Sequence, residues 1–220
     1  MNEPLVQSMT SQLIGRLRDR ILAGAYAPGS ALRQDVLASE FGTSKIPVRE
    51  ALVQLQSEGL VDIFPNRGFQ VRPLAATELE EVFRLRLQIE PAAAALGAKF
   101  ATAADHDAAR DALKRLDDAL AAQEFSASGR LNRAFHLLLV VPRLQPVATE
   151  MLGRLHTLAQ RYVQAHLQPE GRVKRALREH TALLRLWRMG KSKEVRALMH
   201  AHIESTRDDL RAGTGTGRPP

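Results

Sequence analysis

Apolar residues recur along most of this chain at helical spacing. Over residues 8–23, Leu13, Ile14, Leu17, Ile21 and Leu22 share one face while Arg16 and Arg20 lie on the other, which predicts an amphipathic helix. Residues 26–30 read as a strand remnant and a Pro-Gly turn. Leu32, Val36 and Leu37 give a short second helix its apolar face, and Phe41 closes it. Gly42 then offers the positive φ that a helix end favours. Ser44 is a good N-cap for a third helix, and Pro47 falls in its first turn, where a missing N–H costs nothing. Val48, Ala51, Leu52 and Leu55 are its buried face, and Glu58-Gly59 ends it. The period then shortens. Residues 61–64 and 69–72 read as two strands around a tip of Pro65, Asn66, Arg67 and Gly68. Residues 8–73 are thus expected to fold as helix, helix, tight turn, helix and two-stranded wing.

After a linker at residues 73–76 the pattern is helical throughout. Thr77 and Glu80 suit a capping box. Leu79, Val82, Phe83, Leu85, Ile89 and the alanines of 92–95 carry a helix to about residue 97, with Pro91 expected to kink it or end a turn. A second helix spans 102–123 on Ala109, Leu113, Leu116 and Leu120, and residues 126–129 read as a turn. A third spans 130–141 and stops at Pro142; a fourth, 145–167, carries Val147, Met151, Leu155, Leu158 and Tyr162 on its stripe. Pro169, Glu170 and Gly171 break it, before helices at 172–189 and 192–211. The expected fold class is mainly α: an N-terminal winged helix-turn-helix plus a C-terminal antiparallel six-helix bundle over 77–210, then a disordered tail at 211–220.

Composition narrows the function classes. The absence of cysteine excludes a disulfide framework and thiolate chemistry. No apolar run approaches membrane-spanning length, and the first residues lack a signal-peptide pattern, so a cytoplasmic location without a membrane partner is expected. The net charge of +7 points to a polyanion. Residues 1–73, however, hold eight Lys/Arg against seven Asp/Glu, a net of +1. A nucleic-acid surface there must gather Arg33, Lys45, Arg49 and Arg67, with Asp19, Glu40 and Glu58 turned away. Arg49 has an alternative partner in Glu50 or Glu40, and Ser44 an alternative role as a simple cap. The third helix has the form that enters the B-DNA major groove with its N-terminal side chains at base edges. Residues 172–196 are rich in Arg and Lys, which suits a solvated helix face, a dimer surface or an anion surface.

The candidate chemistry lies in the histidines. His136 follows Asn132 by one turn; His180 falls on the stripe of Val173, Leu177, Leu184 and Trp187, and His202 on that of Val195, Leu198 and Met199. Three imidazoles thus face inward from three helices, and a polar group inside a bundle needs a partner. Two solutions stand open: three separately hydrogen-bonded core histidines, or one divalent ion shared by the imidazoles and the Asn132 oxygen. His200 falls on another face, and His106, His156 and His166 lie off the stripes and read as ordinary. Arg86 either pairs with Glu90 one turn on or binds an acid, with Tyr162 or Gln164 as further candidates for a pocket lining. A three-histidine ion also suits hydrolysis. Against that, no carboxylate shares the site as an evident base, since Glu179 points about 100° from His180. There is also no Ser-His-Asp arrangement, HExxH motif or glycine-rich phosphate loop.

The run Ser44-Lys45-Ile46-Pro47-Val48-Arg49-Glu50-Ala51-Leu52 resembles the signature of GntR-type winged-helix regulators, as do the turn at 24–32, Glu58-Gly59-Leu60 and Asn66-Arg67-Gly68. Lys45 stands where that family usually has Arg, and Ile46 where it has Thr. Lysine keeps the charge but loses the fork that reads guanine, which favours a phosphate contact. Asn132-x-x-Phe135-His136, Glu179-His180 and His202 are similar to the FCD effector domain of the FadR branch, and Arg86-x-x-Ile89-Glu90 resembles that domain's first-helix motif. The family's fourth ligand is commonly Asp; Asn132 is neutral, so the site carries one charge less and binds metal more weakly. The resemblance implies a non-enzymatic, ligand-responsive regulator, expected to be a repressor, that binds double-stranded DNA at a palindromic operator as a homodimer. Arg33, Ser44, Lys45, Arg49, Arg67 and Gly68 would touch DNA. Asn132, His136, His180 and His202 would hold a zinc-, nickel- or manganese-like ion, and Arg86 a small carboxylate effector. The rival readings are a metal-dependent hydrolase and a DNA-binding protein with structural histidines and no effector.

Overall fold

The computed structural model describes residues 9–65, 67–140, 142, 146–165 and 171–213. The chain divides into two compact units, Met1–Leu74 and Ala75–Pro220. In the first, α1 (Met9–Leu22), α2 (Gln34–Glu40) and α3 (Lys45–Ser57) pack with three strands, β1 (Ala31–Leu32), β2 (Val61–Phe64) and β3 (Gly68–Val71). The strands form one antiparallel sheet in the order β1-β3-β2, with Leu32 and Ile63 both opposite Phe69. Leu17, Val48, Leu52 and Leu55 are fully buried beneath it. Gly42, at φ 62°, makes the turn between α2 and α3. Two corrections arise. The strand before α2 lies at Ala31–Leu32, after the Pro-Gly turn rather than within it. Val36 is 54% exposed, because a helix this short turns only Leu37 and Ala38 inward.

The second unit holds α4 (Ala76–Phe100), α5 (Ala103–Ala121), α6 (Phe125–Val140), α7 (Pro146–Ala165), α8 (Arg172–Arg188) and α9 (Ser192–Gly213). Helix α4 packs on α6, α7, α8 and α9. It runs through Pro91 to Phe100, its buried face of Leu79, Val82, Phe83, Ala93 and Ala94 outweighing one lost N–H. Its N-cap is Ala75, without a side-chain cap bond, so Thr77 and Glu80 form no capping box; that motif sits at Thr102 and Asp105 on α5. Gly97 marks a close crossing with α6: a Cβ there would stand 1.9 Å from the Leu139 carbonyl oxygen. That oxygen accepts the Trp187 indole N–H at 3.0 Å.

Two further expectations shift. Helix α6 begins at Phe125, so residues 126–129 are helical, and the turn lies at Gln123, whose φ is 58°. Gly129 lets Gln160 of α7 approach, since a Cβ there would meet the Gln160 amide at 2.2 Å. The stripe of α7 also lies in a different phase. Leu152, Leu155, Ala159 and Tyr162 are buried, whereas Val147 and Met151 are 69% and 49% exposed. Residues 211–213 belong to α9; the rest of the expected tail, the break before Gly171 and His166 lie outside the described residues. Among the described residues no helix is long and apolar enough to cross a membrane.

Candidate functional site

Five of the six bundle helices bring ionisable side chains to one buried cluster: Arg86 and Glu90 from α4, His136 from α6, His156 from α7, His180 from α8 and His202 from α9. Contacts fix the roles of the imidazole nitrogens. His136 donates its Nδ1–H to Glu90 Oε1 at 2.7 Å, and His202 donates its Nδ1–H to Glu179 Oε2 at 2.6 Å. Each ring therefore presents its Nε2 lone pair inward. Both meet His180, whose Nε2 lies 3.2 Å from the Nε2 of His136 and 3.2 Å from that of His202. His180 has one Nε2 proton at most, so it can satisfy one neighbour and not both. Among the described residues its own Nδ1 is buried without a partner. Two imidazole nitrogens on a tetrahedral ion at about 2.0–2.1 Å stand about 3.3 Å apart. The three-histidine set could hold a metal ion, and its spacing suits one.

Behind this set lies a second cluster. Glu90 Oε1 also receives His156 Nε2 at 3.0 Å, and Glu90 Oε2 receives Arg86 Nε at 2.9 Å. Burial opposes ionisation of Glu90, but the Arg86 guanidinium and the imidazoles hold its carboxyl well below the usual range. Burial pushes His136 down to about 3 and lowers His156 and His180, the latter also through its two histidine neighbours. His136, His156 and His180 are thus neutral at pH 7, the form of imidazole that binds metal.

A cavity of about 110 Å³ adjoins the histidines. Asn132, His136, His180, His202 and Arg86 all line it, so the structure brings the expected set to one place. Arg86 is held by Glu90, the internal pair that its spacing allowed. Tyr162 does not line the cavity; its hydroxyl donates to Glu78 at 2.6 Å beside the start of α4. The Gln164 side chain lies outside the described residues. Two carboxylates, Glu90 and Glu179, touch the set, each engaged in holding an imidazole N–H rather than standing as an evident base, and Glu179, turned away from His180, meets His202 instead. His156 is corrected, being 3% exposed and bound to Glu90. His106 packs edge-on against Trp187, and His200 is exposed beside Glu204.

On the first unit, Lys45, Ile46 and Arg49 are exposed on α3, and Arg67 and Gly68 at the wing. Ser44 is the N-cap of α3 but makes no side-chain cap bond, so its hydroxyl is open to solvent. Arg33 lies 3.9 Å from Asp35. Arg49 has no acidic partner among the described residues, because Glu40 pairs with Arg20 and Tyr26 while Glu50 accepts from Thr10. Glu58 is held by Arg18 through two bonds of 2.7 and 2.6 Å.

Residues 9–71 match the family described as bacterial regulatory proteins, gntR family, and residues 81–205 match the FCD domain. The chain belongs to the GntR family of bacterial regulators. The HTH-type transcriptional regulator McbR of Escherichia coli (strain K12) is 30% identical over 148 residues, 67% of each chain. The HTH-type transcriptional regulator YdhC of Bacillus subtilis (strain 168) is 31% identical over 133 residues, 59% of this chain and 58% of that protein. The solved structure of E. coli McbR/YncC superposes with a TM-score of 0.82 at 23% identity, covering 94% of this chain and 99% of that one. At that identity the likeness carries the fold, a winged helix-turn-helix joined to an FCD-type helical bundle. This GntR-family protein is therefore a DNA-binding transcriptional regulator, and the cavity with its histidines lies within its FCD domain.

Proposed function

We propose that this GntR-family regulator is a repressor that releases DNA in response to a small organic acid bound in the FCD cavity, through a divalent ion of the zinc, nickel or manganese kind. The convergence of three Nε2 atoms that cannot all satisfy one another carries this reading. An ion bound by His136, His180, His202 and the Asn132 oxygen supplies open coordination positions for a carboxylate. Arg86, lining the same cavity, adds positive charge beside it. Asn132 in place of an acid lowers the charge of the ligand set and weakens ion binding.

On the DNA side, two copies related by a two-fold axis would place two α3 helices in successive major grooves of a palindromic operator. Ser44, Lys45 and Arg49 reach bases or phosphates, Arg33 a phosphate, and Arg67 with Gly68 the minor groove or backbone. Exposed Val147 and Met151 on α7 make that helix a candidate dimer surface. Acid binding acts on DNA only if its affinity differs between DNA-competent and incompetent states.

The test pairs elemental analysis of untagged protein with mobility shift on operator DNA. About one ion per chain, lost in His180→Ala, and a weaker shift when a bound carboxylate is present are the expected results. Operator affinity that ignores every bound acid sinks the effector reading. Metal-free protein that still binds an acid as tightly sinks the role of the ion.

A further inference from the structure

Among the described residues three arginines line the cavity, and two are engaged. Arg86 gives its Nε to Glu90 at 2.9 Å, and Arg133 gives its Nε to the Gly153 carbonyl at 3.0 Å. Arg172 differs. It is 7% exposed, its Nε lies 3.5 Å from Asp209, and its Nη1 is buried with no hydrogen-bond partner among the described residues. Asp209 is already bound by Arg175, so it does not depend on Arg172. Burial lowers the Arg172 pKa from its ordinary value, since desolvation opposes the charge. A buried guanidinium nitrogen without an acceptor is a costly thing to keep. An apolar residue of similar length would relieve that cost.

Position says what the idle nitrogen faces. Arg172 opens α8, and His180 lies eight residues on, about 12 Å along the axis. Val173, Ala176 and Leu177, between them, line the cavity with them. One helix face thus offers a guanidinium, an apolar stretch and an imidazole whose Nε2 belongs to the three-histidine set.

We infer that Arg172 is the anchor for a second acid group, and that the effector is a short-chain dicarboxylate with one end at Arg172 and the other at the histidines. This rests on the reading above that the cavity takes an organic acid, and it adds that a monoacid is the poorer ligand. The shared chemistry at Arg172 is that of an oxyanion, and inorganic phosphate competes there if a phosphorylated acid is the ligand instead.

Calorimetric titration of the full chain with butyrate, succinate, glutarate and inorganic phosphate tests this, using wild type, Arg172→Gln and Arg172→Lys loaded with the same metal. Succinate or glutarate should bind wild type at least about tenfold tighter than butyrate. Arg172→Gln should erase that preference, leave butyrate unchanged and melt no lower than wild type without ligand. Arg172→Lys should restore part of the preference. Diacids that bind Arg172→Gln as well as wild type overturn the anchor while leaving the organic-acid reading intact. A ligand-free melting point well below wild type in both variants makes Arg172 structural and also overturns it. Phosphate binding to wild type alone, without diacid binding, overturns the dicarboxylate. Binding of none of the four to wild type overturns the organic-acid reading itself.

Discussion

The buried polar core of the FCD domain has two halves built from the same residue types. Around Glu90 the partners close on one another: Oε1 takes His136 and His156, and Oε2 takes Arg86. Around His180 they do not. Two lone pairs meet one imidazole, and His180 Nδ1 and Arg172 Nη1 have no partner among the described residues. His136 belongs to both halves, its Nδ1 to the closed one and its Nε2 to the open one. Unsatisfied buried groups are costly, so a core that holds them next to a cavity is built to receive something. The closed half is the frame that aims the open half.

The largest effect should come from breaking the frame. Glu90→Gln keeps the shape but leaves the Arg86 charge buried, at 5% exposure, without a counter-ion. The expected loss is about 3–5 kcal/mol in urea denaturation of chelated protein. A loss below about 1 kcal/mol would mean that the two halves do not differ.

Acid should act next, through the frame and the receptor together. His136 titrates near 6.5 when unfolded and at about 3 when folded. Between those values the unfolded chain holds the extra proton, so stability falls as pH falls. From pH 7 to 5, His136 alone should cost metal-free protein about 2 kcal/mol, and His156 and His180, both lowered, act in the same direction. Glu90, also lowered, keeps its contribution over this range and loses it only below about pH 4.5, as pH falls toward its folded pKa. A flat denaturation midpoint from pH 7 to 5 would show that the buried imidazoles take up protons in the folded protein as they do in the unfolded chain.

These differences were partly legible beforehand, and the boundary follows range. The turn at Gly42, the cap position of Ser44 and the change of period into the wing depend on neighbours a few residues away, and the fold follows them. The convergence of His136, His180 and His202 was legible because each sits on a helical stripe. The phase of α7 was not, since Val147 and Met151 are apolar yet exposed, and a stripe drawn through them sets His156 on the wrong side. Gly129 shows the same limit. A glycine that permits a positive φ and one that admits a neighbouring side chain read alike until α7 is in place. Glu90 signalled Arg86 through their spacing, but its bonds to α6 and α7 are tertiary. Arg172 was hidden in an Arg- and Lys-rich stretch whose ordinary state is solvated, and only its burial separates it from that background.

A smaller effect should mark the open half. His180→Leu removes an imidazole whose Nδ1 was never satisfied and fills the space with an apolar group of similar size. Metal-free stability should stay within about 1.5 kcal/mol of wild type, while bound metal disappears from elemental analysis. A penalty as large as that of Glu90→Gln would make His180 part of the frame.

The smallest effect on stability, and the sharpest comparison, is Glu179→Gln. It makes the same chemical change as Glu90→Gln, and each carboxylate receives a histidine Nδ1–H, at 2.6 and 2.7 Å. The Glu179 side chain is 22% exposed and that of Glu90 is fully buried. Water can therefore serve what the glutamine does not, and its amide oxygen still accepts from His202, so folding stability should change by less than about 0.5 kcal/mol. What is lost is the negative charge that makes His202 a better donor to an ion. Chelator competition should show metal held about tenfold more weakly. Unchanged metal affinity would mean that Glu179 does not tune His202. If both substitutions cost the same stability, burial would not be what separates the frame from the receptor.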